Sequence, residues 1–166
     1  RVWFCGQGPN LKLPSFEQMT GRSGALFSEI DFAKGIAKAC GLSVVKEAAA
    51  AGEFEVLVIH QGTRGRLGPG GELKNKIKRI EEFDALVGAT IKEAAARGPL
   101  RICVTTDVFE STAKKAFSSD RVPFLSWGPG VTQDEAQAFS EKNAVQGREA
   151  FDDGRQLIKF IIGEKK

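Results

Sequence analysis

Short, continuous apolar runs alternate along this chain with longer stretches of helical spacing, and glycine or proline punctuates the joins. Val2-Trp3-Phe4-Cys5 is a first run, closed by the loop signal Gly6-Gln7-Gly8-Pro9-Asn10. Pro14-Ser15 ahead of Phe16, Glu17, Gln18 and Met19 predicts a short capped helix that stops at Gly21. Residues 23–28 (SGALFS) predict a strand. Over residues 31–40, Phe32, Ala33, Ile36, Ala37 and Cys40 recur at helical spacing, with Gly41 as the stop. Residues 43–46 predict a brief strand. The run 55–60 (EVLVIH) is continuous and β-branched, as in a strand covered on both faces.

Residues 62–71 hold five glycines and a proline, so a loop is required there. A long helix is predicted over 72–97, with Leu73, Ile77, Ile80, Phe83, Leu86, Val87 and Ile91 on one stripe and Gly98-Pro99 at its end. Residues 100–105 predict a central strand, 112–117 a helical turn, and 122–127 a strand closed by Gly128-Pro129-Gly130. Helices are predicted over 134–145 and, amphipathic, over 155–162. The alanine-rich stretches 47–51 and 93–96 report helix propensity. This alternation predicts one α/β domain over 1–166: three layers, a mostly parallel sheet, and helices on both faces. A chain of 166 residues can bury its own core without a metal or disulfide staple.

Composition removes several function classes. The net charge of +3 is too mild to argue for nucleic acid or a membrane surface by itself. No apolar run approaches the roughly 20 residues that span a bilayer, and no signal-peptide pattern is present. Cys5, Cys40 and Cys103 form no C-x-x-C pair and read as reduced thiols. Together with a start at Arg1, this leads us to expect a reducing compartment: cytoplasm, or an organelle matrix or stroma after leader removal.

In an open α/β sheet, ligands bind beyond the carboxyl ends of the strands. The loops to examine therefore follow Cys5, His60, Thr105 and Trp127. Asp107 stands at one of these strand ends as a lone carboxylate, readable as a turn cap. His60, the single histidine, reads as a satisfied strand-end residue before it reads as a ligand or base. Cys103 lies inside a strand with nothing basic beside it, and so reads as an inert thiol. No G-x-G-x-x-G opens a helix, and no phosphate-binding G-x-x-x-x-G-K-[ST] or G-x-S-x-G elbow occurs. The one concentrated charge is basic. Residues 61–80 carry Arg64, Arg66, Lys74, Lys76, Lys78 and Arg79 against Glu72 alone, a segment of +5 in a chain of +3. Glycines leading into a helix N-terminus suit an anion; the plainer reading is a solvated helix face beside a loop. Aromatics are not interleaved there, so specific nucleic-acid recognition is not supported.

The run 122–131 (VPFLSWGPGV), followed by Phe139-Ser140-Glu141, resembles the closing segment of the archaeal-type cofactor-independent phosphoglycerate mutases of the alkaline phosphatase superfamily. Leu13-Pro14-Ser15-Phe16, Lys34-Gly35-Ile36-Ala37 with Gly41, residues 76–84 (KIKRIEEFD) and Val104-Thr105-Thr106-Asp107 fall in the same order as that family's segments. The resemblance implies the carboxyl-terminal half of the family's phosphatase domain, with an alkaline-phosphatase-like, truncated fold. The half that would carry a nucleophilic serine and the inserted transferase domain are missing, and the stretch between Val45 and Glu55 is shorter than the family's.

The departures matter most. Such enzymes hold two divalent ions with Asp and His side chains, which orient phosphate and activate the nucleophile. The positions matching a D-x-x-x-H ligand loop are Gly65 and Pro69 here. The family's Asp-His becomes Asp107-Val108, and a further His falls near Phe117. Asp107 is then a vestige, because a catalytic metal needs about three protein ligands. The sequence thus predicts no cofactor, no catalytic residue and a pseudoenzyme that serves as a structural or accessory subunit among other proteins. Two alternatives stand beside it. One is a metal-dependent mutase or phosphatase completed by another chain. The other is a small module that takes an anionic ligand on Arg64, Arg66, Lys74, Lys76, Lys78 and Arg79.

Overall fold

A computed structural model of the chain describes residues 13–48, 53–62, 73–111 and 116–163. The chain divides into two compact units, residues 1–64 and 65–166. The predicted strand at 2–5 with its loop, and loop residues 63–71, lie outside the described residues.

The first unit opens with α1 (Phe16–Thr20). Ser15 Oγ accepts from Gln18 N–H at 3.1 Å while Gln18 Oε1 accepts from Ser15 N–H at 2.8 Å, a reciprocal capping box. Gly21 ends the helix at φ 65°, a left-handed conformation that suits glycine. Next come β1 (Gly24–Ser28), α2 (Asp31–Ala39), β2 (Ser43–Val45) and β3 (Val56–His60). The three strands form a wholly parallel sheet in the order β2-β1-β3. β1 is central, Leu26 pairs with both Val44 and Val58, and Ser28 pairs with His60. α2 packs on β1 and β2. Ala25, Leu26, Ala37 and Ala48 are buried, and Ser28, at 5% exposure, is the one buried polar residue among those described. A Cβ on Gly24 would lie 2.5 Å from Leu42 and 2.8 Å from Phe16, so glycine lets those side chains close over the strand. β3 is less covered than its β-branched sequence suggests: Val58 is exposed.

The second unit contains α3 (Leu73–Ala95), β4 (Ile102–Thr105), β5 (Phe109–Ser111), β6 (Ala116–Ser118), β7 (Phe124–Trp127), α4 (Glu141–Ala144) and α5 (Gly154–Ile162). The α3 stripe is half-buried at Phe83, Leu86, Val87 and Ile91 and exposed at Leu73, Ile77 and Ile80. The α/β class holds, with its parallel pairing in the first unit; here β4 pairs with β7 antiparallel, Ile102 opposite Trp127 and Thr105 opposite Phe124. β5 and β6 form an antiparallel ladder; of the helical turn predicted over 112–117, residues 112–115 lie outside the described residues and the last two are strand. Ala116 and Phe117 are strand, because cross-strand pairing with Ser111 and Glu110 overrides a weak local preference. The helix predicted over 134–145 is cut to α4. Asp134 turns its carboxylate back on its own backbone, accepting from Ala136 N–H at 3.0 Å and Arg148 N–H at 3.2 Å. Ser140 then starts the helix by accepting from Asn143 N–H at 3.3 Å. α5 is capped by Asp153 and ends at Gly163, φ 83°. Phe124, Phe151 and Phe160 meet in a three-ring cluster with centroids 5.4–6.5 Å apart.

Candidate functional sites

In the first unit, the carboxyl edge of the sheet brings a serine and the single histidine together. Parallel register sets Ser28 beside His60, and Ser28 Oγ lies 2.9 Å from His60 Nδ1. The same Oγ accepts from Ile30 N–H at 3.1 Å, fixing the turn from β1 into α2. Gly62 presses on this corner. A Cβ there would come within 2.8 Å of Ile30 Cγ1 and 3.2 Å of His60 Cε1. His60 is therefore a hydrogen-bonded strand-end residue, as its sequence position suggests, but its partner is one the sequence alone did not identify.

In the second unit, Asp107 follows β4, exposed on the wall of a groove of about 1720 Å³. That is larger than the roughly 300–1,000 Å³ of ordinary small-molecule pockets, and suits an extended partner better. Trp127 (59% exposed) and Phe139 (47%) lie along it. Seven carboxylates, Asp107 among them, line it against Arg121 and Arg148. Some of these carboxylates are already engaged: Arg121 pairs with Asp152 at 2.5 Å, and Asp134 holds the loop described above. Asp153 caps α5 by accepting from Arg155 N–H and pairs with the Arg155 guanidinium, which keeps its carboxyl down at about 2. No described residue places a cap or backbone N–H on Asp107 itself. Cys103, on β4 opposite Ser126, is half-buried, and burial pushes its thiol up to about 11, in keeping with an inert role.

The basic segment is only partly described. Arg64 and Arg66, with positions Gly65 and Pro69, lie outside the described residues. Lys74, Lys76, Lys78 and Arg79 fall on the first turns of α3. Lys78 and Arg79 both reach Glu82, at 3.9 and 3.5 Å, so two of the cations share one carboxylate of their own helix. These pairs are exposed and weak. The residues do not fit a divalent metal pair. Asp107 is followed by Val108, Phe117 is an exposed strand residue, and among the described residues no three Asp, Glu, His or Cys side chains converge.

Sequence reasoning missed a third feature, the Arg101 clamp. Its Nε donates to Pro129 O at 3.0 Å and its Nη1 to Phe160 O at 3.2 Å and Ile161 O at 3.0 Å, tying the Gly128–Gly130 turn to the end of α5. Contacts 28 to 60 residues apart leave no local signal in the sequence.

No protein-family model matches the chain. The 2,3-bisphosphoglycerate-independent phosphoglycerate mutase of Methanothrix thermoacetophila is 28% identical over 97% of this chain and 46% of its own length. That of Methanosarcina barkeri is 28% identical over 99% and 46%. The chain spans about half the length of these relatives. Among solved structures, a Pyrococcus horikoshii protein matches with TM-score 0.74 and 18% identity, over 92% of this chain and 52% of that one. The cofactor-independent phosphoglycerate mutase of Thermoplasma acidophilum matches with TM-score 0.60 and 22% identity, over 83% and 35%. At such identities these two structures bear on the fold.

Proposed function

We propose that this chain, a homologue of the archaeal-type cofactor-independent phosphoglycerate mutases, is a non-catalytic mutase-like domain that serves as a structural or accessory subunit of a larger assembly. One observation carries the reading: where the family's metal ligands fall, this chain has Gly65, Pro69 and Val108, with Asp107 left alone. Glycine, proline and valine offer a cation no side-chain donor, and one carboxylate does not hold a catalytic metal. The open groove supports a protein partner. Trp127 and Phe139 stand exposed along it, and exposed aromatics are the residues that interfaces favour, with the carboxylates as a polar rim.

The test is purification from the native source, with mass photometry and elemental analysis of the same fractions. The chain should travel in a particle much larger than its own 17.9 kDa, without stoichiometric manganese, zinc or magnesium at its site. A free monomer refutes the subunit role. A bound metal pair with mutase or phosphatase turnover instead establishes an enzyme completed by another chain.

A further inference from the structure

We infer that Ser28 fixes the tautomer of the His60 imidazole, with Nδ1 accepting and the proton on Nε2, so that His60 presents a fixed N–H donor to an oxyanion at the carboxyl edge of the β2-β1-β3 sheet. The inference concerns a corner that the subunit reading does not use and stands independently of it.

Ser28 Oγ has two neighbours at hydrogen-bond distance, Ile30 N at 3.1 Å and His60 Nδ1 at 2.9 Å. The amide of Ile30 can only donate, so it occupies a lone pair of Oγ. Ser28 is 5% exposed, and a hydroxyl proton buried there must find an acceptor. Among the described neighbours the sole acceptor is Nδ1. An Nδ1 that accepts leaves the proton of the neutral ring on Nε2. The other tautomer would make Oγ accept twice and strand its own proton in a buried place. A ring held this way offers a metal no free lone pair: Nδ1 is engaged and Nε2 carries hydrogen.

The position favours a ligand. In a parallel sheet ordered β2-β1-β3, the chain leaves β1 toward one side and returns to β3 on the other. The gap between the carboxyl ends of β1 and β3 is therefore the switch point at which α/β folds bind ligands. Ser28 and His60 are the last residues of those two strands and are register partners. Gly62 passes close to the ring at Cε1, where a Cβ would come within 3.2 Å, and His60 stays half-buried, so the Ser28 bond and this close approach set its orientation before any ligand arrives. A pre-set N–H donor pairs most strongly with a charged acceptor, and phosphate or carboxylate oxygen is that class.

His60 is the single histidine, so the full chain gives one imidazole signal in a long-range proton–nitrogen NMR spectrum. Above about pH 8, where an ordinary imidazole is neutral, wild type should show one tautomer, with the proton on Nε2. Ser28→Ala should give a mixture of tautomers. Inorganic phosphate, added against chloride at matched ionic strength, should shift the Nε2 proton and the Gly62 amide saturably. His60→Ala should abolish the Gly62 shift, and His60→Gln, which retains an N–H donor, should keep part of it. A proton on Nδ1 in wild type, or tautomers already averaged there, overturns the assignment without recourse to any variant. Phosphate shifts confined to lysine and arginine neighbours, or equal to those with chloride, overturn the ligand.

Discussion

Replacing Arg101 by alanine is expected to destabilise the second unit by about 2 kcal/mol, built from three carbonyls it serves. Phe160 O and Ile161 O belong to the last turn of α5, where carbonyls lack the usual helical partner; Phe160 O also takes a long bond from Gly163 N–H at 3.3 Å, so Ile161 O depends on Arg101 the more. Both contacts are partly buried, and a charged donor there is worth about 1 kcal/mol each once rehydration of the freed carbonyl is allowed for. The Pro129 contacts are exposed and add a few tenths more, in about the range of a cation near a helix C-terminus. For a unit of this size, 2 kcal/mol corresponds to a melting shift of about 10 °C. Arg101→Lys separates geometry from charge. A single ammonium cannot span Pro129 and α5 together, so lysine should recover less than half of the loss. Paired urea and thermal melts of the full chain, followed by near-UV circular dichroism in a Trp3→Phe background so that Trp127 reports alone, provide the assay. A loss under about 0.5 kcal/mol for Arg101→Ala, or full recovery with lysine, would refute the clamp as a stabilising element.

Other outcomes follow from particular residues. Gly128→Ala should cost at least about 2 kcal/mol, because φ is 128° and a Cβ would run into Leu100 O and lie 2.8 Å from Arg101 Cα; a neutral effect in the same melts would mean that the turn relaxes freely. In a Cys5→Ser, Cys40→Ser background, Cys103 at pH 8 should react with a thiol reagent about 200-fold more slowly than an unfolded thiol, the ratio of thiolate fractions for values of about 11 and 8.5; comparable rates before and after urea would contradict its burial. Arg155 and its own backbone N–H hold the Asp153 carboxyl at about 2, so its support for α5 should be complete above the usual carboxylate value near 4 and fade as pH falls from there through 2; in an acid titration followed by far-UV circular dichroism, Asp153→Asn should erase that part of the helical loss. If the basic segment binds anions, Arg64→Ala with Arg66→Ala should weaken retention on an anionic resin, as should added salt; salt-independent retention would sink that alternative.

Local chemistry was legible and long-range chemistry was not. The Ser15 cap, the Gly21 and Gly41 stops, and the extent of α3 each follow from residues a few positions apart, although Leu73, Ile77 and Ile80 of the α3 stripe stay exposed. The β5–β6 ladder escaped because Ala116 and Phe117 take their conformation from partners across the strand. The 134–140 stretch looked helical by spacing, but a short carboxylate can bond its own backbone, and Asp134 does. The Ser28–His60 pair needs the parallel register before it exists. Its only trace in sequence is that both residues end a predicted strand.

That division sharpens what the resemblance to the mutases means. Three residues of the run 122–131 lie where packing tolerates little change. Gly128 passes close against the Leu100 backbone, Pro129 presents its carbonyl to Arg101, and Phe124 sits in the ring cluster with Phe160. Each of those residues has a structural duty that holds whether or not a phosphate is ever transferred. On the proposed reading, Gly65, Pro69 and Val108 fall at the positions that resemble the family's ligand sites, and none offers a side-chain donor. A chain kept for its shape would retain the first set and be free to lose the second.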